Sequence, residues 1–182
     1  MPMKLIIASD LHGSLYWTEK LVNAYKETKA ERLILLGDIL YHGPRNDLPK
    51  NYNPKEVIKL LNPLSSDITC VKGNCDAEVD QMVLDFDVST TEKQLTFPPL
   101  NDYTIHLIHG HHLKERTFPS KSIILFGHTH VPTIDCIEGS YFINPGSISI
   151  PKNSSPNSFI ILEDRNFKIM DFEGNVVDKL AF

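Results

Sequence analysis

Six short apolar runs recur along the chain: KLIIAS from residue 4, RLILLG from 32, ITCVKG from 68, YTIHLIHG from 103, SIILFG from 122 and SFIILED from 158. Each is rich in Ile, Leu or Val and is bounded by Gly, Pro or Asp, which reads as a buried strand. Between the first two lies SLYWTEKLVNAYKETKAE, in which Leu21, Val22 and Tyr25 share one helical face and Ser14 can cap the start. NPKEVIKLL repeats the device, with Asn53 as N-cap, Pro54 at the first helical position and Glu56 in the capping-box position.

The first half therefore alternates strand and helix, the pattern of an α/β unit with parallel strands. The second half has more strands and fewer helices. Residues 85–110 suggest a meander leading back to the core, and residues 159–182 a hairpin pair with turns at Asp164–Asn166 and Gly174–Asn175. No repeat, low-complexity tract or composition shift marks a linker. The expectation is one domain over residues 1–182, built as two sheets packed face to face with helices outside.

Composition narrows the class. The chain has 182 residues, 41% of them hydrophobic, enough for a substantial core, and a net charge of -5. An acidic balance argues against general nucleic-acid binding. No run approaches the ~20 apolar residues of a membrane span, and the first residues do not follow an export-signal pattern. Three cysteines, Cys70, Cys75 and Cys136, are too few and too irregular for a disulfide framework. A cytoplasmic protein is expected, with a homo-oligomer possible.

The chemistry gathers where the strands end. KLIIAS runs into Asp10 and His12, RLILLG into Asp38, and ITCVKG into Asn74. The fourth run carries His109 and His111, and the fifth ends in His128 and His130. Ligands of open α/β sheets bind just outside the carboxyl ends of the strands, so five such ends would converge on one place. In extended chain residues i and i+2 point the same way, so Asp10 and His12 can face one ion. His128 and His130 can do likewise, or reach two neighbouring ions if the chain turns between them. Gly37, Gly73, Gly110 and Gly127 permit sharp turns or close backbone approach. Carboxylate, amide and imidazole donors without thiolate suit Mn²⁺, Fe²⁺ or Zn²⁺ better than an all-oxygen Mg²⁺ or Ca²⁺ site.

DLHG, GDILYHGP, GNCD, HGH and GHTH, in that order, resemble the motifs of the calcineurin-like metallophosphoesterases, and in particular the small bacterial phosphodiesterases among them. The likeness runs from residue 4 to about residue 170 and includes NPGSISIPK. It implies a four-layer αββα sandwich, two mixed β-sheets flanked by helices. It implies two divalent ions, Mn²⁺ favoured over Fe²⁺ or Zn²⁺: one held by Asp10, His12 and His130, the other by Asn74, His109 and His128, with Asp38 bridging. Asp38, Asn74 and His111 would be catalytic, and His42, Arg45 and His111 would meet the substrate, a small phosphoester. Two such ions sharing one water can bring its pKa down to about 7, so a bridging hydroxide would attack phosphorus and no protein nucleophile is required.

Cys75 fits no nucleophile pattern. An arginine six residues on would be needed to bind phosphate, and that position is Gln81; Asp76, Glu78 and Asp80 add negative charge, the reverse of what a reactive thiol needs. Many relatives carry histidine there, a proton donor to the leaving group. Its replacement implies a preference for good leaving groups such as aryl esters. Phosphomonoesterase or nucleotide pyrophosphatase activity is the nearest rival, and a non-catalytic protein-binding scaffold of the retromer type a more distant one. Arg45, the one extra cation near a motif, favours diesters.

Overall fold

The computed structural model describes residues 3–182. Its first sheet is built on β1 (Lys4–Ala8), β2 (Arg32–Leu35) and β3 (Ile68–Cys70), which lie parallel in the order β1-β2-β3. Helix α1 (Leu15–Thr28) connects the first pair and α2 (Pro54–Leu61) the second. On the other side of β1 the sheet continues antiparallel through β9 (Ser158–Glu163), β10 (Asn166–Asp171) and β11 (Val176–Ala181). The second sheet has the order β4-β5-β6-β8-β7. It comprises β4 (Glu92–Leu95), β5 (Thr104–Ile108), β6 (Ser122–Leu125), β7 (Pro132–Ile137) and β8 (Ser140–Pro145), with β5, β6 and β8 parallel.

Both sheets are mixed, and the apolar runs show why they stack. In β1 alternate residues enter different cores: Leu5 and Ile7 join Ile34, Leu107, Ile123, Ile143 and Phe167 between the sheets. Ile6 and Ala8 instead meet Leu21, Val22 and Tyr25 of α1 and Val57 and Leu61 of α2. A strand buried on both faces has no polar side, which is why these runs read as continuous hydrophobic stretches. The outer face of the second sheet is covered by the segment after β5, where Leu113 and Phe118 pack on Ile108, Ile124, Phe126 and Phe142.

Helix α1 starts where Ser14 accepts the N–H of Trp17 and stops at Lys29, whose φ of 53° is left-handed. Asn53 caps α2 by accepting the N–H of Glu56. The Glu56 carboxylate pairs with Lys59 (2.6 Å) rather than closing a capping box. Among the described residues no helix is long and apolar enough to cross a membrane.

Candidate metal centre

β1, β2, β5 and β6 end at the same rim, and the residues just beyond them turn sharply. Asp10, His12, Asp38, His128 and His130 all have left-handed φ, between 49° and 65°. Asp and His tolerate that region better than most residues, and such strain is typical of functional loops. The extended geometry expected for Asp10-x-His12 is thus replaced by two tight turns, which still bring His12 Nε2 to 3.7 Å from Asp10 Oδ1. His128 and His130 follow the second alternative: the chain turns between them, and His128 Nδ1 faces Asn74 Oδ1 at 2.7 Å while His130 Nε2 faces His12 Nε2 at 3.3 Å.

Two groups share the cluster. In one, Nε2 of His130 lies 3.3 Å from Asp10 Oδ1 and 3.3 Å from His12 Nε2. In the other, His109 Nε2 lies 2.9 Å from Asn74 Oδ1 and 3.3 Å from Asp38 Oδ2. Asp38 Oδ2 is also 3.8 Å from His12 Nε2, so its carboxylate stands between the groups. Donor atoms of Asp10, His12 and His130 all lie within 4.8 Å of one another, as do those of Asp10, Asp38 and His109.

The hydrogen bonds at the back of each ring decide what the front can do. Nδ1–H of His12 donates to the Tyr41 carbonyl (2.8 Å), that of His109 to Leu36 (2.7 Å) and that of His130 to Ile150 (2.6 Å). In the neutral ring each Nε2 therefore presents a lone pair inward, the form His109 reaches only when it gives up its second proton. Lone pairs of His12 and His130 then face each other and the Asp10 carboxylate, whose buried Oδ1 completes no hydrogen bond. Only protons or a cation can relieve that convergence. The donor set thus fits divalent metal ions.

The electrostatics agree. Burial pulls the His109 imidazole down, but the Asp38 carboxylate beside it and the charges of Asp10 and Asp38 overcome this and raise its pKa to about 9. Asp38 is pushed up by burial, yet His109, the Cys75 N–H (2.8 Å) and His12 hold it well below the usual carboxylate range. A proton on His109 fills part of the role of a cation. Burial lowers the affinity of His12 for a proton.

Several residues hold this rim from behind. Asp76 is buried and accepts the N–H groups of Asp38 (2.8 Å), Ile39 (2.8 Å) and Gly73 (2.7 Å). A Cβ on Gly73 would sit 2.1 Å from Asp38 Oδ1, so only glycine lets the two loops meet. Ser147 and Ser149 hydroxyls both donate to the Asp10 carbonyl (2.9 and 2.7 Å), and Asn144 Nδ2 donates to the carbonyl of Gly127 (2.8 Å). The NPGS turn is thus a brace for two rim loops. Asp76 went unrecognised as a positioning group in the sequence, although its place in GNCD was the available signal.

The remaining predicted residues divide. Arg45 lines a cleft of about 760 Å³ together with Asp38, Asn74, His128 and His130. His42 is not among the residues lining that cleft; its ring packs edge-on against those of Tyr41 and Tyr52, at 4.8 and 5.1 Å. Its Nδ1 is buried and meets no hydrogen-bond partner. His111 is not among the residues lining that cleft either: it lines a separate, smaller pocket with His109 and His112, its ring 5.6 Å from that of His109 and 6.1 Å from that of His128. Tyr41 and Lys152 line the same cleft as Arg45 and were not foreseen.

Cys75 meets the electrostatic expectation for an unreactive thiol. Burial and the nearby Asp38, followed by Asp76 and Asp10, push it up to about 12. Asp76 contributes as expected.

A β-sandwich whose strand ends deliver carboxylates, an amide and imidazoles to one open cleft defines the class: an α/β protein built around a metal centre. Within that class, the chain belongs to the calcineurin-like phosphoesterase superfamily, whose domain model matches residues 3–166. It is 39% identical over 165 residues to phosphodiesterase YfcE of Escherichia coli, covering 89% of this chain and 88% of the relative. The solved structure of that phosphoesterase superposes with a TM-score of 0.92 at 36% identity, over 98% of this chain and 99% of the other. The probable metallophosphoesterase YsnB of Bacillus subtilis is 26% identical over 98% of this chain and 96% of its own. Vacuolar protein sorting 29 from Cryptosporidium parvum shares the fold alone, at 16% identity with a TM-score of 0.66 over 100% of this chain and 99% of its own.

Proposed function

We propose that the chain is a single-domain, metal-dependent phosphodiesterase working with two divalent ions. The observation that carries this reading is the convergence of inward lone pairs on Asp10, whose buried Oδ1 no donor satisfies. Asp10, His12 and His130 would hold one ion and Asn74, His109 and His128 the other, with Asp38 shared. When bound, such ions polarise phosphoryl oxygens and acidify a coordinated water. Mn²⁺ is the occupant the family likeness favours, while the donor types alone suit Fe²⁺ and Zn²⁺ as well.

The chain's own residues do the rest. Backbone carbonyls behind His12, His109 and His130 fix their tautomers, so the rings need no reorganisation when charge develops. Asp76 keeps the Asp38 loop against Asn74. In the metal-free protein burial and Asp38 push the Cys75 thiol up, and a thiol in place of an imidazole would be a poor proton donor to a departing alcohol. His111, beside His109 and His128 though outside the large cleft, would be the group to meet phosphoryl oxygens or to donate a proton.

Metal analysis of the purified protein, with hydrolysis of a bis-aryl phosphodiester under added Mn²⁺, Fe²⁺ or Zn²⁺, tests the reading. Two equivalents of metal and turnover abolished by Asp38→Asn are expected. Full turnover after chelation, or no metal uptake at all, overturns it.

A further inference from the structure

The cleft beside the metal centre is larger than its chemistry needs. A volume of about 760 Å³ lies in the range that encloses a nucleotide-sized ligand rather than a phosphate alone. It is lined by Asp38, Asn74 and His128 of the metal centre and also by Tyr41, Arg45 and Lys152. Arg45 and Lys152 come from different loops, each closed on itself. Asn46 Nδ2 donates to the His42 carbonyl at 2.8 Å. The Lys152 N–H donates to the carbonyl of His130 at 3.1 Å, and its own carbonyl accepts the Ser155 hydroxyl at 2.6 Å.

Neither cation is spent within the chain. Among the described residues the lysine and arginine ion pairs belong to Lys4, Lys59, Lys93, Arg116 and Arg165. A simple diester brings one negative charge, and that charge faces the metal centre. Two unpaired cations in the lining of the cleft are therefore in excess of it. Tyr41, 42% exposed, adds a ring beside them on which a flat group can stack.

Resting on the phosphodiesterase reading, we propose that Arg45 and Lys152 form a subsite for a second anionic group, with Tyr41 beside it. The substrate class is then a phosphodiester whose ester group carries a ring and a further phosphate, as in a nucleoside bisphosphate ester. Lys152 and Arg45 are specificity-determining residues; the bond broken is still the ester P–O bond at the metal centre.

Two probes differing by one phosphate separate the ideas: thymidine 5′-(4-nitrophenyl phosphate) with and without a 3′-phosphate, assayed on metal-loaded protein. The 3′-phosphorylated probe is expected to be preferred by about five- to tenfold in kcat/KM at low salt, through KM, as for a partly solvated charge-assisted contact. The preference should shrink with added salt and fall towards unity in Lys152→Met and Arg45→Met. It should persist in Lys168→Met, which alters an exposed lysine on β10. Equal use of both probes by the wild type, or a preference surviving in both cleft variants, overturns the subsite while leaving phosphodiesterase activity standing. Failure to cleave either probe overturns the subsite when a bis-aryl phosphodiester is still hydrolysed, and overturns both readings when it is not.

Discussion

Asp76 Oδ2 accepts the backbone N–H of Asp38 at 2.8 Å and that of Gly73 at 2.7 Å, joining the loops after β2 and β3 through one buried carboxylate. Its Oδ1 takes the N–H of Ile39 as well. Asp76→Ala would strand three buried donors, each costing about 1–3 kcal/mol if left unsatisfied. The variant should melt earlier and bind metal about 10–100-fold more weakly, the usual cost of losing an outer-shell partner. Asp76→Asn keeps the shape but places an amide NH₂ against backbone donors, so it should lie between. Metal titration read by calorimetry, with melting curves of the metal-free protein, checks the order; a metal affinity unchanged in both variants would separate Asp76 from the centre.

The pH dependence of the metal-free protein follows from the His109–Asp38 pair. His109 has a folded pKa of about 9, above its unfolded value. Its stabilising contribution is fully present below about pH 6.5 and lost as pH rises through about 9. Asp38 is depressed, so its contribution is present above the ordinary carboxylate range and lost as pH falls. Melting temperature without metal should therefore pass through a maximum between these limits, and His109→Gln should flatten the alkaline side. Below about pH 9 metal must displace the His109 proton, so metal uptake should release protons and tighten as pH rises.

Much of this centre was legible because its donors sit at strand ends, and strand ends are marked by apolar runs stopping at Gly-Asp, Gly-Asn or Gly-His. What the one-dimensional pattern could not supply was backbone conformation: the i, i+2 geometry proposed for Asp10 and His12 assumed extended chain, whereas both residues are left-handed. β7 and β8 escaped notice for a related reason. β7 begins at Pro132, is an edge strand and mixes Asp135 and Cys136 with its apolar residues, so no alternation stands out. Lys152 ends the NPGSISIPK stretch, more than 20 residues after His130 in sequence, and its loop returns to the His130 carbonyl.

Removing the thiol at position 75 should do little to the chemistry. Asn74 Nδ2 contacts Cys75 Sγ at 3.2 Å, a weak hydrogen bond, and in the metal-free protein burial and Asp38 push the thiol up to about 12, the reverse of an activated nucleophile. Cys75→Ala is expected to retain turnover within about tenfold of the wild type, since no covalent step is lost. Steady-state rates on a bis-aryl phosphodiester check this; complete loss with both metals still bound would make the thiol essential.

The same side chain sets the leaving-group dependence. With no efficient proton donor at position 75, the departing oxygen must carry its charge, and rates should fall steeply as leaving-group pKa rises. General-acid help is worth about 10²–10⁴-fold, so Cys75→His should flatten that dependence by raising the poor leaving groups most. Geometry opposes the gain. A Cβ on Gly43 would lie only 3.0 Å from Cys75 Sγ, so the loop carrying Tyr41 and Arg45 already rests on the sulfur. An imidazole must push that loop outward, and KM should rise in Cys75→His even where kcat for alkyl esters improves. A series of aryl and alkyl phosphodiesters measured on both proteins decides it: a shallow slope in the wild type would mean that another group, with His111 the nearest candidate, already donates the proton.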